Sequence, residues 1–217
     1  SILSIQVVSR ANQAGLRITP KQLFQAPTLA ALAALAGIEA AQTVAQGPVT
    51  GPVALTPIQR RFFELELAER NHWNQSLLLS VAEPLDAASL AAAVAALIEH
   101  HDALRLRFTE RATGPQARNV AVDEAGPTPF EHIDLAALDD AAFSSEVERH
   151  AAETQARLDI ADGPLFRAAY YDAGPIRRGR LFLVIHHLAV DGVSWRILLE
   201  DLQTAYGQHR HAGAIKL

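Results

Sequence analysis

The residues best placed to do chemistry are a histidine pair, His186-His187, followed after three residues by Asp191-Gly192. Histidine, with an unperturbed pKa of about 6.5, can both take up and return a proton near neutrality, which suits general acid/base work. Asp191, four residues after His187, is spaced to hold the loop or to orient the imidazole. Two histidines and an aspartate are also metal-ligand types. The chain has no cysteine and no clear additional ligand nearby, so a metal is not expected here. The residues alone leave two readings open, acid/base chemistry or a structural role in the loop.

The flanking sequence says what must position these groups. Leu181-Phe182-Leu183-Val184-Ile185 is short, apolar and rich in β-branched and aromatic residues, the pattern of a buried strand. After Asp191-Gly192, the apolar residues Val193, Ile197, Leu198, Leu202 and Ala205 recur at helical spacing. Strand, tight loop and amphipathic helix together would present His187 on a loop held by rigid elements.

His186-His187-x-x-x-Asp191-Gly192 resembles the active-site motif of the condensation-domain superfamily of nonribosomal peptide synthetases, which shares the chloramphenicol acetyltransferase fold. The continuation Val193-Ser194-Trp195-Arg196-Ile197-Leu198 resembles the epimerization-domain version. Peptide-bond-forming members more often place a tryptophan directly after the glycine, where this chain has Val193.

Bulk properties narrow the class. Hydrophobic residues make up 49% and charged residues 20%, with a formal net charge of -5, which argues against a nucleic-acid surface and for a soluble, mildly acidic protein. No apolar run is long enough to span a bilayer, so no membrane partner is expected. The absence of cysteine excludes disulfides and thiol catalysis, and with no signal peptide at the start a cytoplasmic location is the default. A chain that begins Ser-Ile-Leu and has no methionine is expected to be an interior piece of a longer polypeptide.

Taken in order, residues 1–14 carry apolar side chains at Ile2, Ile5, Val8 and Ala11, a helical stripe that Gly15 ends. Thr19-Pro20 reads as a cap and first-turn proline for a short helix, and Thr28 starts another through Leu35. These helices resemble the later three of a peptidyl carrier domain, and Ser1-Ile2-Leu3-Ser4-Ile5-Gln6 resembles its attachment motif from the serine onward. The resemblance implies a covalent 4'-phosphopantetheine on Ser1. From the residue alone, Ser1 reads as a helix N-cap, and it is the resemblance of the residues after it that points to the attachment serine. The expected division is a partial carrier domain at 1–38, a linker at 39–53 and a second domain at 54–217.

Thr56-Pro57 opens a helix with an apolar face, and Leu77 to Val81 reads as a strand. The helix at Leu55–Phe63 and the segment His72-Trp73-Asn74-Gln75-Ser76 both resemble epimerization-domain motifs, which makes Asn74 and Gln75 expected site-lining residues, together with Ser194 and Trp195. Asp86 caps a helix to about His101, and Leu104 to Phe108 alternates apolar and charged residues like a strand with one buried face. A turn at Gly114-Pro115 and a return strand at 120–122 complete a hairpin. His100-His101-Asp102-x-Leu104-Arg105-x-x-Phe108 resembles the second core motif of condensation-type domains. Arg105 is therefore expected to pair with Asp191, a planar guanidinium matching a carboxylate, and with Gly192 to support the motif. Residues 127–138 read as connecting structure, Asp139 opens a helix through 158, and Leu165 to Tyr171 is a strand.

The expected fold is α/β: the N-terminal lobe of a chloramphenicol-acetyltransferase-like sandwich, preceded by a partial all-α carrier bundle. The resemblance implies inversion at Cα of an aminoacyl or peptidyl thioester, with His187, His186 and Asp191 as the catalytic set. The second acid/base group would be a glutamate of the C-terminal lobe, and no matching Glu-Gly-His motif occurs here, so the isolated chain is expected to be inactive. Expected partners are that lobe, neighbouring synthetase domains and the carrier-bound thioester. The alternatives are a condensation domain that forms peptide bonds and a noncatalytic, partner-recruiting member of the same fold.

Overall fold

A computed structural model of the protein describes residues 2–36 and 47–217. Ser1 and residues 39–46 of the expected linker lie outside the described residues, as do the side chains of Ile2 and Ile5. The chain divides into two compact units, residues 1–47 and 48–217.

In the first unit, α1 (Ile2–Gln13), α2 (Pro20–Gln25) and α3 (Leu29–Leu35) follow in sequence. Gly15 closes α1 with φ +82°, a left-handed conformation natural to glycine. The start of α2 is fixed by a reciprocal capping box between Thr19 and Gln22 with Pro20 in the first turn, and Thr28 Oγ1 accepts the Ala31 N–H at the start of α3. Val8, Ile18, Ala26 and Leu32 form its small core.

The second unit comprises β1 (Gly51–Val53), α4 (Pro57–Glu64), β2 (Asn74–Ser80), α5 (Ala87–His100), β3 (Leu106–Arg111), β4 (Gly114–Asn119), β5 (Phe130–Asp134), α6 (Asp140–Ala156), β6 (Phe166–Asp172), β7 (Arg180–His186) and α7 (Ser194–Arg210). A four-stranded sheet runs β2-β7-β6-β5, antiparallel except for the parallel β5/β6 pair, and a three-stranded antiparallel sheet runs β1-β4-β3. The unbroken apolar run of β7 follows from its place inside the larger sheet. Leu181, Leu183 and Ile185 pack into a core with α5 and α7, while Phe182 and Val184 pack on the opposite face with Phe143 and Val147 of α6. The α/β sandwich is therefore two helical layers with a sheet between them. A third cluster joins Phe62 and Phe63 of α4 to Leu106, Phe108 and Leu188, which ties the small sheet to the loop after β7.

Several local expectations change. Residues 51–53, read as the end of a linker, pair with β4. Asp102–Arg105 is a 3₁₀ turn, so β3 begins only at Leu106, and Arg107 in it is buried rather than exposed. Its guanidinium lies against Gly163, where a Cβ would come within 2.1 Å of Cζ. Gly114-Pro115 begins β4 instead of forming the turn, 120–122 is not a strand, and the supposed connection at 127–138 contains β5.

Candidate active site

Three anchors shape the loop that carries the histidines. At the end of β7, the His186 amide donates to Leu165 O and the His187 amide to Trp73 O, so both flanks grip the strand exit. On the α4 side, Thr56 and Gln59 form a capping box, and Gln59 Nε2 reaches on to donate to Leu188 O at 3.0 Å. At the far end, Asp191 Oδ1 accepts the Val193 and Ser194 N–H groups at 3.0 and 2.8 Å and the Ser194 hydroxyl at 2.7 Å. Val193 offers no side-chain cap, so Asp191 satisfies the open donors at the start of α7 in its place. The hydrogen bonds from Ser194 hold the Asp191 carboxyl below the usual carboxylate range.

The two histidines are used differently. His186 is fully buried: its Nε2 donates to Arg70 O at 2.8 Å, its Nδ1 accepts the Leu188 N–H at 3.2 Å, and the Phe62 ring meets it edge-on. Both nitrogens are taken by backbone, which fixes the neutral form, and burial pushes its pKa down. His186 therefore locks the loop and has no nitrogen left for a substrate, contrary to its place in the expected catalytic set. His187 is exposed. Its Nδ1 lies 2.7 Å from Val190 O, so Nδ1 carries the proton, and Nε2 lies 3.3 Å from the side-chain nitrogen of Gln75. The ring stacks near Trp73, within 15° of parallel at a centroid distance of 6.4 Å.

His187 opens on a cleft of about 480 Å³, also lined by Ile58, Phe62, Leu65, Trp73, Asp191 and Ser194. Apolar walls with a few polar groups are the usual makeup of a small-molecule site. Of the expected lining residues, Ser194 borders this cleft, and Gln75 and Trp195 reach it through the His187 ring, with Trp195 Nε1 donating to Gln75 Oε1 at 2.9 Å. Asn74 turns back to donate to His72 O.

Arg105 is corrected. It is completely buried but pairs with Asp102 and with Ile98 O, Glu99 O and Val120 O, while the Asp191 bonds go to α7. The expected Arg105–Asp191 pair is absent because the 3₁₀ turn brings a carboxylate three residues away within reach. Gly192 has an unstrained backbone, and a Cβ there would meet nothing within 4 Å, so its support of the loop is not steric. Sequence reasoning missed Trp73 and Gln59. Both stood inside quoted motifs, and the available signal was an aromatic residue and a helix-cap glutamine beside the segments already singled out.

In the first unit the expected attachment serine, Ser1, lies outside the described residues. The helix α1 begins at the next residue with no acidic side chain in its first turn, so its open N–H groups and positive dipole end suit a phosphodiester there. Among the described residues no helix is long and apolar enough to cross a membrane.

The condensation-domain family model matches residues 49–217, and the phosphopantetheine attachment site model matches residues 1–36. Over its whole length the chain is 52% identical to a stretch of a linear gramicidin synthase protein of Brevibacillus parabrevis, of which it spans 4%. Surfactin synthase subunit 2 of Bacillus subtilis is 40% identical over 96% of the chain, which spans 6% of that protein. Among solved structures, the epimerization domain from the third module of tyrocidine synthetase B matches 80% of this chain and 39% of its own, with a TM-score of 0.74 and 34% identity. The first condensation domain of the calcium-dependent antibiotic synthetase matches 77% of the chain and 40% of its own at TM-score 0.66 and 25% identity.

Proposed function

The chain belongs to the condensation-domain family of nonribosomal peptide synthetases and carries a phosphopantetheine attachment unit before it; on that premise we propose that its second unit is part of an epimerization domain that inverts Cα of a carrier-bound aminoacyl or peptidyl residue from L to D. The observation that carries this reading is the His187 ring. Val190 O holds the proton on Nδ1, which leaves Nε2 as the basic nitrogen beside an apolar cleft. Both site residues around it that separate the two family branches, Gln75 and the Trp195 of Val193-Ser194-Trp195, match the epimerization pattern, and the 34% identity to a solved epimerization domain supports the same choice.

The phosphopantetheine arm would hold the substrate as a thioester, which acidifies the neighbouring Cα–H. His187 Nε2 would then take the Cα proton on its face or return one there. Asp191 holds the loop at the start of α7, and His186 holds the ring's backbone. Proton exchange on the opposite face needs a second group from outside this chain, in keeping with the 39% of the solved domain that the chain spans. The partners proposed are that remaining lobe and the neighbouring synthetase domains.

The test uses the continuous synthetase polypeptide loaded with an aminoacyl thioester in D2O, with mass detection of deuterium entering Cα and His187→Ala beside it. His187-dependent exchange is expected. Peptide-bond formation with a second loaded carrier and no exchange at Cα would favour condensation instead.

A further inference from the structure

Gln75 is a polar residue in the row of β2 that otherwise faces the core through Leu77 and Leu79, and a polar group there must find partners for both ends of its amide. It finds them in Trp195 and His187. The chain of hydrogen bonds has only one consistent direction. The indole nitrogen of Trp195 is a donor and nothing else, so the Gln75 atom facing it is the oxygen and the atom facing His187 is the NH2 group. At the other end Val190 O is an acceptor and nothing else, so His187 Nδ1 carries a proton and Nε2 of the neutral ring accepts. Polarity assigned independently from the two ends meets without conflict at Gln75 and Nε2. If His187 took a second proton, Nε2–H would face the Gln75 NH2, donor against donor. The amide cannot turn to offer its oxygen without giving up the buried Trp195 N–H.

Resting on the reading that His187 is the acid/base group, we propose that Trp195, acting through Gln75, is a positioning pair that holds His187 in the Nδ1–H neutral form and disfavours its imidazolium. Such a pair keeps the base ready before each encounter and drives the abstracted proton back toward carbon. A substrate hydrogen at the cleft displaces the weak 3.3 Å contact from Gln75 rather than a short one. The charged or titratable groups around the ring do not supply the same control. His186 is locked neutral by backbone, Arg61 of α4 is paired with Glu64 and Arg196 of α7 with Glu200, while the Asp191 carboxylate, bonded to α7, acts on the ring by charge and favours the imidazolium, so the pair works against it.

The pH profile of deuterium entry at Cα tests this in the synthetase polypeptide with Trp195→Phe and Gln75→Glu. Phenylalanine keeps a ring but removes the indole N–H, which frees the Gln75 amide to turn. Glutamate accepts from both Trp195 and a protonated His187. The acid limb of the profile is expected to move up by about half a pH unit in the first variant and by about one unit or more in the second, with exchange in the second falling about tenfold on the acid side. Exchange scaled down with an unmoved limb in both variants, or a limb moved to lower pH, overturns the proposal. Should Trp195→Phe fail to fold, Gln75→Glu decides alone. If His187→Ala retains exchange, the proposed function fails and this pair fails with it. Loss in His187→Ala with unmoved limbs elsewhere sinks only the pair. If the unsubstituted polypeptide joins two thioesters without exchange, the same limb is read on that reaction.

Discussion

Two histidine pairs leave regular elements in this molecule, each followed closely by an aspartate, and only one makes a candidate site. At the exit of α5, His101 Nε2 bonds Asp201 of α7 at 2.8 Å, His100 meets the His101 ring edge-on, and Asp102 is held by Arg105. Ligand-type atoms of His100, His101 and Asp201 lie within 4.8 Å of one another, yet the groups act as a staple between two helices of one layer. At the exit of β7, one histidine is buried and bound at both nitrogens by backbone, and that rigidity lets its neighbour stand in a cleft with a basic nitrogen supported by a single amide. The residue types are the same. What differs is the setting: at β7 a backbone-locked histidine places its neighbour's Nε2 beside an apolar cleft, whereas at α5 His101 is engaged by a carboxylate that ties α5 to α7.

The largest expected effect tests that difference directly. His187→Ala should lower Cα exchange by ~10²–10⁴-fold, the usual contribution of a general acid/base, while unfolding free energy changes by less than about 0.5 kcal/mol because the ring is exposed. His101→Ala should leave exchange within about threefold, since its ring is engaged by Asp201 of α7 and by His100 and not by the residues around His187. A large loss of exchange in His101→Ala would break the comparison. Next comes Arg105→Ala. Removing a wholly buried guanidinium leaves Asp102 and three carbonyls without their donor, and should cost about 3–5 kcal/mol in urea unfolding. His186→Ala should cost about 2–4 kcal/mol by the same measurement, because Arg70 O and the Leu188 N–H lose their partners and a cavity opens beside Phe62.

A smaller effect follows from pH. Burial lowers the pKa of both His186 and His101 from the ordinary 6.5, for His101 against the opposing pull of Asp201. A histidine lowered in this way binds fewer protons folded than unfolded. Its contribution is therefore fully present above about pH 6.5 and is lost as the pH falls below that value, by at most about 1.4 kcal/mol per unit for each group. Unfolding free energy measured from pH 7 to 5 should fall, and the slope should be shallower in His186→Gln. An unchanged slope would mean that His186 is not held neutral.

Which features were legible depends on how local their causes are. The starts of α2, α4, α5 and α6 are written in Thr19-Pro20, Thr56-Pro57, Asp86 and Asp139, whose side chains accept N–H groups three residues on, and the sequence names them with little error. The buried β7 and the turn into α7 are equally plain, because an apolar run and a helical stripe require no knowledge of neighbours. The strand β5 was hidden because its half-buried Phe130–Asp134 lies at the edge of the sheet between prolines and polar residues, and only its parallel pairing with β6 defines it. Arg107 misled by alternation, since what buries it is a loop more than fifty residues away at Gly163. At the site, His187 was readable from its motif. The division of labour between His186 and His187 was not, because it is set by Arg70 O and Leu188 N, backbone groups that no side-chain pattern reports.

Gly192 gives the smallest effect. Motif spacing made it a support of the loop, but its φ is not in the left-handed region, and an added Cβ meets no atom within 4 Å. Gly192→Ala should therefore leave unfolding free energy within about 0.5 kcal/mol of the unsubstituted protein, or slightly raise it by restricting the unfolded chain. Cα exchange measured in the same variant then separates two demands. If exchange is also retained, glycine at this position answers to neither fold nor chemistry. If exchange falls while stability holds, the space beside Gly192 belongs to the substrate arm or to a lobe that packs over the loop, and the requirement for glycine comes from what enters the site and not from the loop that carries His187.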